Sequence, residues 1–182
     1  MTKLIELRPP LDCKKIKQLK AGDIVSVSGT VVTARDKAYV RALDLMRSGR
    51  KLPVNLRGGI VYHCGPLAKK TARGLKIVSA GPTTSTRLDN MQADFVRLTG
   101  VKALVGKSGV GEDVAAELAR LGCVYLAFTG GAGVFAAQAI RRIKKVFWHD
   151  LSPVEALWVL DVKNFGPLVV AVDTKGNNLY RR

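Results

Sequence analysis

Between Lys76 and Lys144 the chain repeats one pattern three times: a short run of β-prone residues, a turn carrying glycine, then a segment of helical period. The runs are Lys76–Ser79, Val101–Val105 and Val124–Phe128, and the helices that follow them are expected over Arg87–Leu98, Glu112–Leu121 and Val134–Lys144. In the first of these helices Leu88, Met91, Phe95 and Leu98 fall on one face, the spacing of an apolar stripe turned to a core. Strands that alternate with helices imply parallel pairing in this part of the chain, because a parallel neighbour cannot be reached through a tight turn.

The first part of the chain is richer in strand. Asp23–Ala34 alternates Val, Ile, Ser and Thr as a strand or hairpin would, and Gly59–Cys64 is a short strand running into Gly65-Pro66. Between them Arg35–Ser48 changes to helical period, with Ala38, Ala42, Leu45 and Met46 on one face and Gly49 as the stop. Residues 1–20 carry two prolines and a basic cluster and read as a strand or arm followed by a loop. Near the other end Val146–Trp148 opens a strand, Leu168–Val172 forms another, and Asp173–Asn177 is a hairpin turn before Leu179-Tyr180. The expected fold is α/β: a single β/β/α layered domain over 1–182 with a mixed sheet, a length that one core can serve.

Thirty Lys and Arg against fourteen Asp and Glu leave a net charge of +16, which favours anionic partners. The densest basic runs, Lys14-Lys15, Lys69-Lys70, Arg141-Arg142 and Lys144-Lys145, are short and scattered, as solvated faces or subunit contacts would be. A nucleic-acid binder concentrates such charge, so that class is disfavoured. Cys13, Cys64 and Cys123 show no paired spacing, which argues for a reducing compartment and against a disulfide scaffold. No apolar run is long enough for a membrane span and the first residues lack a signal core, so a soluble cytoplasmic protein is expected.

Two glycine motifs suggest nucleotide sites. Gly106-Lys107-Ser108 resembles the end of a P-loop, but the preceding Gly100 is one residue too distant and the intervening residues read as strand. Gly131-Ala132-Gly133-Val134-Phe135-Ala136 fits a dinucleotide fingerprint better, with Asp150 beyond the next strand. Too little chain follows to build the crevice, and short side chains there also serve close helix–strand packing.

Ser79-Ala80-Gly81-Pro82-Thr83-Thr84-Ser85-Thr86-Arg87 is more informative. A strand ends, Gly-Pro turns the chain, and hydroxyl residues enter a helix whose free N–H groups attract anions. Arg87 can grip a carboxylate with two parallel hydrogen bonds. The plainer reading is that Thr84 or Ser85 caps the helix while Arg87 points to water. Arg35 and Lys107 also follow predicted strands, and junctions at strand C-ends form the usual ligand crevice of α/β sheets.

These pieces, in this order, resemble the β subunit of class I iron–sulfur hydro-lyases, the fumarate hydratases and the similar L-tartrate dehydratases. The resemblance runs from Leu4 to Tyr180 and rests on Gly29-Thr30, Thr33-Ala34-Arg35-Asp36, Tyr62 with Gly65-Pro66, and Ser79–Arg87 with Asp89. Gly106-Lys107, Gly130-Gly131-Ala132, Glu155-Ala156-Leu157-Trp158 and Asp173–Leu179 also match. It implies a swivelling β/β/α domain that packs on a separate α subunit carrying a [4Fe–4S] cluster, as a pair of αβ units. It further implies that Arg35, Arg87 and Lys107 bind a small dicarboxylate, that Thr83 removes the proton beside a carboxylate, and that the general acid comes from the α subunit. The chain departs from the family at Tyr62-His63-Cys64, commonly Tyr-Tyr-Ala, and at Lys107-Ser108-Gly109-Val110, usually Lys-Gly-Gly-Met. His63 reads as a turn residue bonded to backbone and His149 as structural, with Trp148 and Trp158 as core or interface anchors.

Overall fold

The computed structural model describes residues 4–72 and 74–181. Residues 1–3 of the expected arm lie outside the described residues. The rest of the arm forms β1 (Ile5–Leu7) and, where a loop was expected, helix α1 (Cys13–Gln18). The Asp12 side chain caps that helix by accepting from Lys14 N, and Ile16 anchors it in the core.

Strand β2 (Ile24–Thr33) leads into α2 (Asp36–Arg47), and β3 (Ile60–Tyr62) follows. A two-stranded hairpin, β4 (Leu67–Thr71) and β5 (Gly74–Ser79), forms a separate small sheet. A 3-10 turn, Ser85–Leu88, runs into α3 (Asp89–Thr99). Then come β6 (Ala103–Gly106), α4 (Glu112–Arg120), β7 (Val124–Ala127), α5 (Gly133–Ala139), β8 (Ile140–Phe147) and the long β9 (Leu157–Val172).

The main sheet is mixed, as expected. Strands β1, β2, β3, β6 and β7 are parallel where they pair, whereas β9 runs antiparallel to β7, β8 and β2. Because β9 pairs with both β7 and β2, the strands β2, β3, β6, β7 and β9 close a circuit. Alternate residues feed two cores. Ile60, Tyr62, Val105 and Leu126 face one that includes Phe165 and Val170, while Val61, Leu104 and Tyr125 face the layer of α2, α3 and α4. In that layer Tyr39 stacks on Phe95 with ring centroids 4.2 Å apart.

A second expectation fails. The helix expected over Val134–Lys144 stops at Ala139, and Ile140–Phe147 is the edge strand β8. Its apolar residues Ile140, Ile143 and Val146 all pack on the core, at a spacing of three. Register shifts between Ile140 and Arg142 and between Ile143 and Lys145 each add a residue on this strand. Such bulges stretch the strand period of two to three and so imitate a helix. Arg141, Arg142, Lys144 and Lys145 fall between the inward residues and are exposed, which discourages pairing along an open edge. The strand expected over Leu168–Val172 is the end of β9, which begins at Leu157.

Candidate functional site

Thr33, Tyr62, Val105 and Leu126 are register partners in one row across β2, β3, β6 and β7. These strands are parallel, so the segments leaving that row emerge at one edge of the sheet. Arg35, His63 to Gly65, Lys107 and the glycines after Ala127 all leave there. The Thr83 segment crosses the same edge: Thr83 N donates to His63 O at 2.6 Å and Lys107 N to Thr83 O at 3.2 Å. Cys64 bridges to Pro82 and Thr84 to Lys107.

The fold therefore brings together the four residues singled out in the sequence. Arg35 is three-quarters buried, with Nε 3.0 Å from Glu155 Oε1 and its terminal nitrogen 3.1 Å from Asp36 Oδ2. Arg87 reaches the same Asp36 oxygen at 3.0 Å and stays about half exposed. Asp36 thus holds two guanidinium groups side by side, and Glu155, which also accepts from Lys37 N at 2.9 Å, orients the first. Glycines leave the room: a Cβ on Gly65 would meet Arg35 Nη1 at 3.0 Å, and one on Gly130 would lie 3.6 Å from Lys107 Cδ. Thr83 is buried and Lys107 half-buried.

Two of the backbone donors around the start of this helix are already used. Thr83 N is taken by His63 O, and Ser85 N donates to Lys107 O at 3.0 Å. Neither Thr84 nor Ser85 caps the helix; Thr84 makes no side-chain cap bond and Ser85 turns inward.

Sequence reasoning missed what lies beneath. His63 is not bonded to backbone through its ring: Nε2 is 2.7 Å from Tyr39 Oη and Nδ1 is 2.8 Å from Ser85 Oγ. Burial pushes its pKa down to about 3, so the ring is neutral. Tyr125 Oη completes the group, 2.9 Å from Ser85 Oγ and 3.1 Å from Lys107 O. The available signal was a polar His63 at the end of an otherwise apolar strand. Asp36 and Glu155 stood within quoted motifs without an assigned role.

Of the fingerprint-like glycines, Gly133 serves packing, while Gly131 takes the left-handed backbone (φ 78°) of the turn with open space beside it. A Cβ on Gly133 would lie 2.3 Å from Ser79 Oγ and 3.1 Å from Gly81 N, where Ala80 N donates to Gly133 O at 2.8 Å. The thiols do not fit as cluster ligands. Cys64 and Cys123 are buried, with burial pushing the Cys64 pKa up and that of Cys123 to about 12, while Cys13 is exposed on α1. Among the described residues no group of three or more His, Cys, Asp or Glu could hold a metal ion, and no helix is long and apolar enough to cross a membrane. A cavity of about 750 Å³ lies beside the site along the outer face of α2 and shares only Asp36 with it. Trp158 is a buried anchor whose Nε1 donates to Pro153 O at 2.8 Å, whereas Trp148 is part-buried beneath Arg41.

The chain is thus a mixed α/β domain whose parallel strands deliver Arg35, Lys107 and, across the same edge, the buried Thr83. The family follows from the chain as a whole. The model of the family described as "Fumarase C-terminus" matches residues 1–182, and the chain belongs to that family. It is 42% identical over 168 residues to a protein of Methanocaldococcus jannaschii named "Putative L(+)-tartrate dehydratase subunit beta", covering 92% of this chain and 86% of that one. It is 37% identical over 173 residues to the L(+)-tartrate dehydratase subunit beta of Escherichia coli, covering 95% and 85%. A protein of Geobacillus stearothermophilus named "Putative fumarate hydratase class I" is 36% identical over 179 residues, 98% of this chain but 34% of that protein. All these names denote hydro-lyases.

Proposed function

We propose that this chain is the β-type subunit of a two-part hydro-lyase that interconverts fumarate and L-malate. The observation that carries the reading is the meeting of Arg35, Thr83, Arg87 and Lys107 at one sheet edge, where the carboxylate of Asp36 holds the two guanidiniums together. Arg35, Arg87 and Lys107 bind the two carboxylates of the diacid. Thr83 takes the proton from the carbon beside a carboxylate, and the negative charge that gathers there is met by fixed cationic donors. Threonine is a weak base, so positive charge close to its hydroxyl is needed to favour the alkoxide. Hydroxide must leave the neighbouring carbon, which needs a Lewis acid that a [4Fe–4S] cluster held by a partner α subunit would supply. Since this chain's thiols do not suit a cluster, activity requires that partner, in a pair of αβ units.

A second reading is L-tartrate dehydration. It is favoured by the relatives of comparable length, which are named as that enzyme's β subunit. The test is co-expression with an α subunit, anaerobic cluster assembly and assay on fumarate, L-malate and L-tartrate. Turnover of fumarate and L-malate ahead of L-tartrate supports the first reading, the reverse order the second, and turnover of none rejects both.

A further inference from the structure

His63 is wholly buried between two hydroxyls, at the end of β3 and beneath the proposed site. A neutral imidazole has one N–H and one bare nitrogen, so one neighbour must donate to it and the other must accept. If Nε2 carried the proton, it would donate to Tyr39, whose own buried hydroxyl would then have no acceptor among the described residues. If Nδ1 carries it, every proton is used. Tyr39 donates to Nε2 and Nδ1–H to Ser85 Oγ; the single Tyr125 proton cannot serve both Ser85 Oγ at 2.9 Å and the Lys107 carbonyl at 3.1 Å, and with it assigned to the carbonyl the Ser85 hydroxyl donates to Tyr125 Oη. Idle buried donors are costly, so the second arrangement prevails.

We propose that His63, as its Nδ1–H tautomer, is a positioning residue: it drives a one-way hydrogen-bond chain that locks the Lys107 turn to the Thr83–Ser85 segment. The backbone runs beside this chain and closes the same junction, through Thr83 N to His63 O, Lys107 N to Thr83 O and Ser85 N to Lys107 O. Gly106 leaves the space for it, since a Cβ there would lie 2.0 Å from Ser85 Oγ and 3.1 Å from His63 Nδ1. The effect on turnover rests on the dicarboxylate reading of the site; the tautomer does not.

Two measurements test this. The chain has two histidines, so in the ¹⁵N-labelled full chain with His149→Gln the imidazole spectrum reports His63 alone. A protonated Nδ1 with a bare Nε2 is expected, and a protonated Nε2 overturns the proposal. In the αβ complex, His63→Asn keeps an amide N–H near the Nδ1 position, whereas His63→Gln offers one near Nε2. The KM for the diacid is expected to stay within about twofold for Asn and to rise about tenfold for Gln, with kcat less affected. Equal KM values, or a worse one for Asn, overturn the positioning role. A wild-type complex that turns over no diacid sinks the functional reading instead, and the imidazole spectrum still decides the tautomer.

Discussion

Acidification should destabilise this fold earlier than its carboxylates alone would, and His63 is the reason. In the unfolded chain its imidazole takes up a proton near the ordinary value of 6.5, whereas burial in the fold holds protonation back to about 3. Between those values the unfolded state binds more protons, so stability rises with pH and is lost as pH falls. Taking the unfolded value as reference, the loss is about 1.4 kcal/mol by about pH 5.5 relative to about pH 7.5. Asp94, Glu117, Asp150 and Asp173, all held below the usual carboxylate range, begin to lose their contribution only at lower pH. Urea unfolding of the wild-type chain and of His63→Gln at those two pH values isolates the effect, because the difference between the two losses belongs to His63. Equal losses in the two proteins would refute the reasoning.

Three further outcomes are expected. Arg87→Ala should lower kcat/KM of the αβ complex by about ten- to a hundredfold, the worth of a charged hydrogen-bonded contact, while unfolding of the chain changes by less than about 0.5 kcal/mol because Arg87 is half exposed. Gly106→Ala should destabilise the chain by about 1–3 kcal/mol in urea and abolish turnover, since its methyl would displace Ser85. Asp173→Ala removes the acceptor for Ala21 N, Lys175 N, Asn177 N and Asn177 Nδ2, so a loss of about 3 kcal/mol in thermal or urea unfolding is expected with turnover per folded molecule preserved.

Where local pattern and tertiary demand agreed, the elements were legible. The strands at Ala103–Gly106 and Val124–Ala127 and the helices Asp36–Arg47, Asp89–Thr99 and Glu112–Arg120 lie within a residue or two of their expected positions. Where β-bulges altered the period, pattern misled: Ile140, Ile143 and Val146 carry helical spacing in a strand. The β4–β5 hairpin was half missed, because Leu67–Thr71 is mostly exposed and lysine-rich and shows no apolar alternation.

By itself the sequence determined the residue types: arginine and lysine after strands, a hydroxyl string after Gly-Pro, glycines where chains pass close. Those choices are local, and they were enough to indicate an anionic guest and a family. Tertiary structure alone decided that Asp36 would couple Arg35 to Arg87, that the Thr83 N–H would be spent on His63 O, and that Tyr39, Ser85 and Tyr125 would enclose His63. The reason is physical. Hydrogen bonds between residues far apart in sequence depend on strand register and on which face each side chain takes, and both are set by how two cores pack against one sheet rather than by any residue's neighbours in the chain.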